Sequence, residues 1–107
     1  MIYYNPPHEV TSKEKLAAMI DLLNGGGELP PIVVMGYDAY TGSHRIAAYR
    51  AVERQIPTVE MSDADYCAAM ATISKEPGDE IYDYDEFCEA LYNVTESAEL
   101  KEALADQ

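Results

Sequence analysis

The chain has 107 residues, 20 Asp and Glu against 7 Lys and Arg, and a formal net charge of −13. That length sets one domain with a modest core. No apolar run approaches the roughly 20 residues that cross a bilayer, and no basic-then-apolar leader opens the chain, so a cytoplasmic protein is expected. Charge is unevenly spread: residues 1–61 hold seven acids and five bases, while 62–107 hold thirteen acids and only Lys75 and Lys101. Direct DNA binding by the second part is excluded as an expectation, because duplex binding requires Lys and Arg against phosphates. Nine Tyr, one Phe and no Trp suggest rings that cover core edges with their hydroxyls wet, at the surface or at an interface.

In chain order, Met1–Tyr4 reads as a short strand stopped by Asn5-Pro6-Pro7. Thr11 and Glu14 form a capping box, and Leu16, Met19, Ile20 and Leu23 recur at helical spacing. A helix over about 12–24 is predicted, closed by Gly25. Gly25–Gly27 reads as a helix stop and turn rather than a phosphate loop, since no Gly-Lys-Ser/Thr step follows. Pro31–Met35 is a β-branched apolar run, hence a buried strand, and Gly36-Tyr37-Asp38 turns it into a return strand at Ala39-Tyr40. A helix is expected over Gly42–Arg54, with Ile46, Ala48, Tyr49 and Val52 on one side, then a buried strand over Ile56–Met61. Ser62-Asp63-Ala64-Asp65 caps a helix running to about Lys75, and Pro77-Gly78 ends it. Asp83 or Asp85 caps a helix through Phe87, Leu91 and Tyr92, and a last acidic helix is expected from Thr95 to Ala105. The predicted order, β-α-β-β-α-β-α-α-α, is an α+β domain with a small mixed sheet and packed helices. Residues 1–75 would form its core and 76–107 an acidic helical extension. Cys67 and Cys88 stand apart from each other and from any His, so both are expected to be small buried apolar residues rather than metal or redox groups.

The chemistry-bearing step is Thr41-Gly42-Ser43-His44-Arg45, where a strand runs into a helix. A helix start presents unpaired N–H groups and the positive dipole end, which suits an anion. Gly42 allows close approach, the Ser43 hydroxyl can donate, and His44 and Arg45 add donors or charge. The same residues also admit a purely structural reading: Ser43 as an N-cap, His44 as a packed ring and Arg45 as a partner for Asp38.

The run "ELPPIVVMGYDAYTGSHRIAAYRAVERQIPTVEM" resembles the ParB/sulfiredoxin-like superfamily, in element order across residues 1–61 and in its helix start. The "TGSHR" step is similar to the "GCHR" of sulfiredoxins and to the "GHHR" and "GERR" forms of ParB-like nucleotide-binding domains. The resemblance implies that Gly42, Ser43, His44 and Arg45 bind the phosphates of a nucleotide, ATP or CTP, with magnesium held by those phosphates and one or two carboxylates. Hydrolysis or phosphoryl transfer would then draw on Glu28, Asp38 or Glu60. The chain departs from the family in two places. Ser43 stands where sulfiredoxin has its Cys, which argues against a thiol-dependent reductase, and the ParB "ENxQR" box is missing after the Ile56–Met61 strand. The leading expectation is a small nucleotide-binding module, regulatory and from a phage or mobile element. The alternative is an acidic, nucleic-acid-mimicking inhibitor that docks on a basic nucleic-acid enzyme through Asp79, Glu80, Tyr82, Asp83, Tyr84 and Glu86. A nuclease ranks last, given the net charge and the lack of clustered metal carboxylates in the sequence.

Overall fold

The computed structural model describes residues 1–105. Five helices and a three-stranded mixed sheet follow one another as α1 (Lys13–Asn24), β1 (Ile32–Met35), β2 (Asp38–Ala39), α2 (Ser43–Ala51), β3 (Thr58–Glu60), α3 (Asp63–Thr72), α4 (Tyr84–Val94) and α5 (Ala98–Ala105). The sheet order is β2-β1-β3, with β1 antiparallel to β2 and parallel to β3. An α+β domain was the expectation, and an α+β domain is what forms.

Alternation along β1 explains the layers. Ile32 and Val34 point into a cluster with Leu23 of α1 and Ile46, Ala48 and Tyr49 of α2. Val33 points the other way, with Val59, into a cluster built by Met70 of α3, Phe87 and Leu91 of α4 and Leu100 of α5. Successive side chains of a strand face opposite sides, so a continuous apolar run is what a strand buried on both faces requires. The acidic C-terminal residues therefore do more than extend the fold: Phe87 and Leu91 are completely buried and close one face of the sheet.

Several element ends differ from the sequence expectation. No strand forms over Met1–Tyr4; pairing is confined to an isolated bridge between Asn5 and Asp38. Pro6 and Pro7 remove the next two N–H donors, and residues 2–4 are held by side chains instead. Ile2 exchanges hydrogen bonds with the Gln55 amide (2.8 and 3.1 Å), and the Tyr4 carbonyl accepts from Arg50 (3.2 Å). The cap of α1 is Ser12, whose hydroxyl accepts from the Lys15 N–H at 3.1 Å, and not Thr11. The second helix ends at Ala51 because Glu53 turns left-handed (φ 55°), and α3 likewise stops at Thr72 before Ser74 (φ 60°). The last helix starts at Ala98: Thr95 is instead tied to α3 through a 2.8 Å bond to Asp65, and Ser97 caps the Leu100 N–H at 3.2 Å. The return strand is shifted by one residue, to Asp38–Ala39, and the strand after α2 is trimmed to Thr58–Glu60. Cys88 is buried as expected, but Cys67 is exposed on the outer face of α3.

Candidate functional site

A cleft of about 490 Å³ opens at the N-terminal end of α2. Gly42, Ser43, His44 and Arg45 all line it. Local backbone chemistry makes this turn. Gly42 occupies the N-cap position in the left-handed region (φ 84°, ψ 37°), and no side chain caps the helix. A Cβ there would sit 2.3 Å from the Ile32 methyl and 3.0 Å from Arg45 Nε, so space as well as φ demands glycine.

Each polar group of the turn is positioned by a distant partner. Ser43 Oγ accepts from the His8 N–H at 3.2 Å, so it anchors the N-terminal segment rather than capping its own helix. His44 Nε2 accepts from the Ser12 N–H at 3.1 Å, which requires that nitrogen to be unprotonated. Burial, then the charges of Lys15 and His8, hold the His44 pKa below its ordinary 6.5. Arg45 is buried, and its Nη1 donates to the carbonyls of Pro30 and Pro31, each at 3.0 Å. Arg45 thus braces the segment leading into β1 as well as walling the cleft.

The remaining wall comes from elsewhere in the chain. Lys15 and Met19 enter from α1, Leu29 and Pro30 from the stretch before β1, His8 from the N-terminal segment and Asp85 from α4. The His8 and His44 rings meet edge-to-face at 6.3 Å. Lys15, His8 and Asp85 did not emerge from sequence reasoning as cleft residues. Lys15 sits one helical turn beyond the Ser12 cap that touches His44, a relation no local pattern carries.

Of the carboxylates considered for chemistry, none lines this cleft. Glu28 is exposed beside Leu29, Glu60 is exposed on β3, and Asp38 lies on another cleft with Asp79, Glu80 and Tyr84. Asp85 is the carboxylate that borders the anion-suited turn. Among the described residues no three His, Cys, Asp or Glu side chains converge into a group able to hold a metal by protein ligands alone. A magnesium ion would fit only in the manner usual for nucleotide sites, carried by phosphates with Asp85 as its protein carboxylate. Asp79, Glu80, Asp83 and Glu86 are exposed, Tyr84 is half-buried, and Tyr82 is exposed with Lys75 over its ring at 4.9 Å.

No family model, curated protein or solved structure matches this chain. Among the described residues no helix is long and apolar enough to cross a membrane.

Proposed function

We propose that the chain is a small phosphate-binding module of the ParB/sulfiredoxin-like kind, in which the cleft at the start of α2 takes the phosphates of a nucleotide. The observation that carries this reading is the convergence of three cationic or cation-capable side chains, Lys15, His8 and His44, on an uncapped helix start. Burial, then Lys15 and His8, disfavour the charged form of His44, and an anion placed among them relieves the repulsion by the two side chains. The first-turn N–H groups and the Lys15 ammonium supply donors, and Met19, Leu29 and Pro30 offer an apolar wall for a base or sugar. The order helix, strand, return strand, helix, strand over residues 13–60 supports the resemblance, while the initial strand that the resemblance implies is reduced to the Asn5–Asp38 bridge. With Glu28, Asp38 and Glu60 outside the cleft, the reading favours binding and regulation over turnover.

Isothermal titration of the full chain with ATP, CTP and inorganic phosphate, each with and without magnesium, tests the proposal. Saturable binding that Lys15→Ala weakens about tenfold or more is expected, tenfold corresponding to about 1.4 kcal/mol. Binding of equal strength to wild type and Lys15→Ala, or no binding to any of the three, would contradict it.

A further inference from the structure

A second cleft, of about 400 Å³, lies beside the edge strand β2 and is lined by residues of the opposite sheet face. Tyrosines form its floor: the Tyr40 ring lies 6.3 Å from Tyr66 and 6.0 Å from Tyr84. Asp38, Asp79 and Glu80 stand on its rim, and none of its lining residues is basic. Their field reaches the phenols. Burial first, then Tyr66, Asp38 and Tyr84, push Tyr40 up to about 12. Burial, then Asp38 and Glu80, raise Tyr84 as well.

Tyr40 supplies an independent pointer. Its side chain is only 9 % exposed, and its hydroxyl makes no hydrogen bond to any described residue. No buried polar atom among the described side chains is left sealed without a partner, so this hydroxyl opens into the cleft that Tyr40 lines. A phenol oxygen held that way has room to accept from a ligand. Elsewhere four tyrosines pair with the chain's own cations. Arg50 lies 5.0 Å over Tyr3, Arg54 5.7 Å over Tyr49, Lys75 4.9 Å over Tyr82 and Lys101 5.6 Å over Tyr92. Here the rings share a cleft with carboxylates instead.

We propose that this cleft binds an organic cation, an alkylammonium or guanidinium group, between the Tyr40, Tyr66 and Tyr84 rings and the Asp38, Asp79 and Glu80 carboxylates. Rim carboxylates that do not converge as a metal-binding set suit a larger, diffuse ion whose N–H groups reach them separately. Ring faces add cation–π attraction as such a cation is desolvated. The site is separate from the phosphate cleft and does not depend on it. A free polyamine and an Arg or Lys side chain of a partner protein present the same chemistry.

The test is an NMR titration of the full chain with spermidine and, separately, with the peptide acetyl-Gly-Arg-Gly-amide, at about 0.15 M salt so that exposed charges are screened. Ring resonances of Tyr40 and Tyr84 are expected to move. Asp38→Asn combined with Glu80→Gln should weaken binding about tenfold or more. The Asn5 amide keeps an acceptor in that variant, because Asn5 Nδ2 donates to Asp38 Oδ1 at 3.0 Å. Glu99→Gln combined with Glu102→Gln removes equal charge from α5 and should change binding less than about twofold. Tyr40→Phe, which keeps the ring and removes the unpartnered hydroxyl, should weaken it several-fold. Binding by spermidine alone identifies the occupant as a free polyamine, and binding by the peptide alone identifies it as a protein side chain. Binding of neither, equal loss in both double variants, or binding that leaves the Tyr40 and Tyr84 resonances unmoved overturns the proposal.

Discussion

The two sides of the sheet share one construction and carry opposite chemistry at their rims. On the α1–α2 side, Leu23, Ile46 and Tyr49 pack under Ile32 and Val34, and the rim gathers Lys15, His8, His44 and Arg45. On the α3–α5 side, Phe87, Leu91 and Leu100 pack under Val33 and Val59, and the rim gathers Asp38, Asp79 and Glu80 around three tyrosines. Burial sets where the rims lie, and the residues brought to each set its charge. The start of α4 divides the two, with Tyr84 in the acidic cleft and Asp85 in the other.

The largest expected effect comes from breaking the α3–α5 side. Phe87 is completely buried and stacks with Tyr40 at 5.1 Å. Phe87→Ala should cost about 3–5 kcal/mol in urea denaturation. Loss of only about 1 kcal/mol would show that the acidic helices are peripheral to the core. On the other side, Gly42→Ala combines left-handed strain with the 2.3 Å approach to Ile32. A loss of about 2–5 kcal/mol is expected, and a near-neutral result would contradict the tight turn.

A pH series sharpens the contrast at smaller amplitude. The folded His44 has a pKa below 6.5, so between that depressed value and 6.5 the folded chain binds fewer protons than the unfolded one. Its stabilising contribution is therefore complete above pH 6.5 and is lost as pH falls through the folded value. His44→Gln keeps an acceptor for the Ser12 N–H and should flatten that part of the profile, read as the urea midpoint from about pH 7 to 5. An unchanged slope would assign the dependence to other groups. The smallest effect is expected at Lys15, which is exposed. Lys15→Ala should leave stability within about 0.5 kcal/mol while weakening the proposed phosphate binding about tenfold or more. A larger loss would make Lys15 structural.

Much of the architecture was legible in the sequence. The β-branched run at Ile32–Val34 announced a strand buried on both faces, and the Ser62 and Asp83 caps marked true helix starts. The Gly42–Arg45 turn was legible as a helix start. What surrounds it was not. Periodicity reports which face of an element is buried but not which two faces meet, so His8, Lys15 and Asp85 gave no signal of sharing a cleft. The same holds for Tyr66 and Tyr84, which lie 26 and 44 residues from Tyr40 yet bring their rings to 6.3 and 6.0 Å from it. The Met1–Tyr4 strand does not form for a different reason: its alternation is weak, and two prolines and a two-residue edge strand leave it almost nothing to pair with.

The central claim, that opposite clefts are built on one scaffold with the anion site at the start of α2, is tested most directly by a single NMR titration of the full chain with metal-free ATP. The account predicts that the amide resonances of Ser43, His44 and Arg45 and the Lys15 side chain move together, and that the His44 imidazole pKa rises as the anion offsets Lys15 and His8. Resonances of Tyr40 and Tyr84 should stay in place. Movement centred on the tyrosine cleft, or an unmoved Ser43–Arg45 turn at saturating ATP, would contradict it.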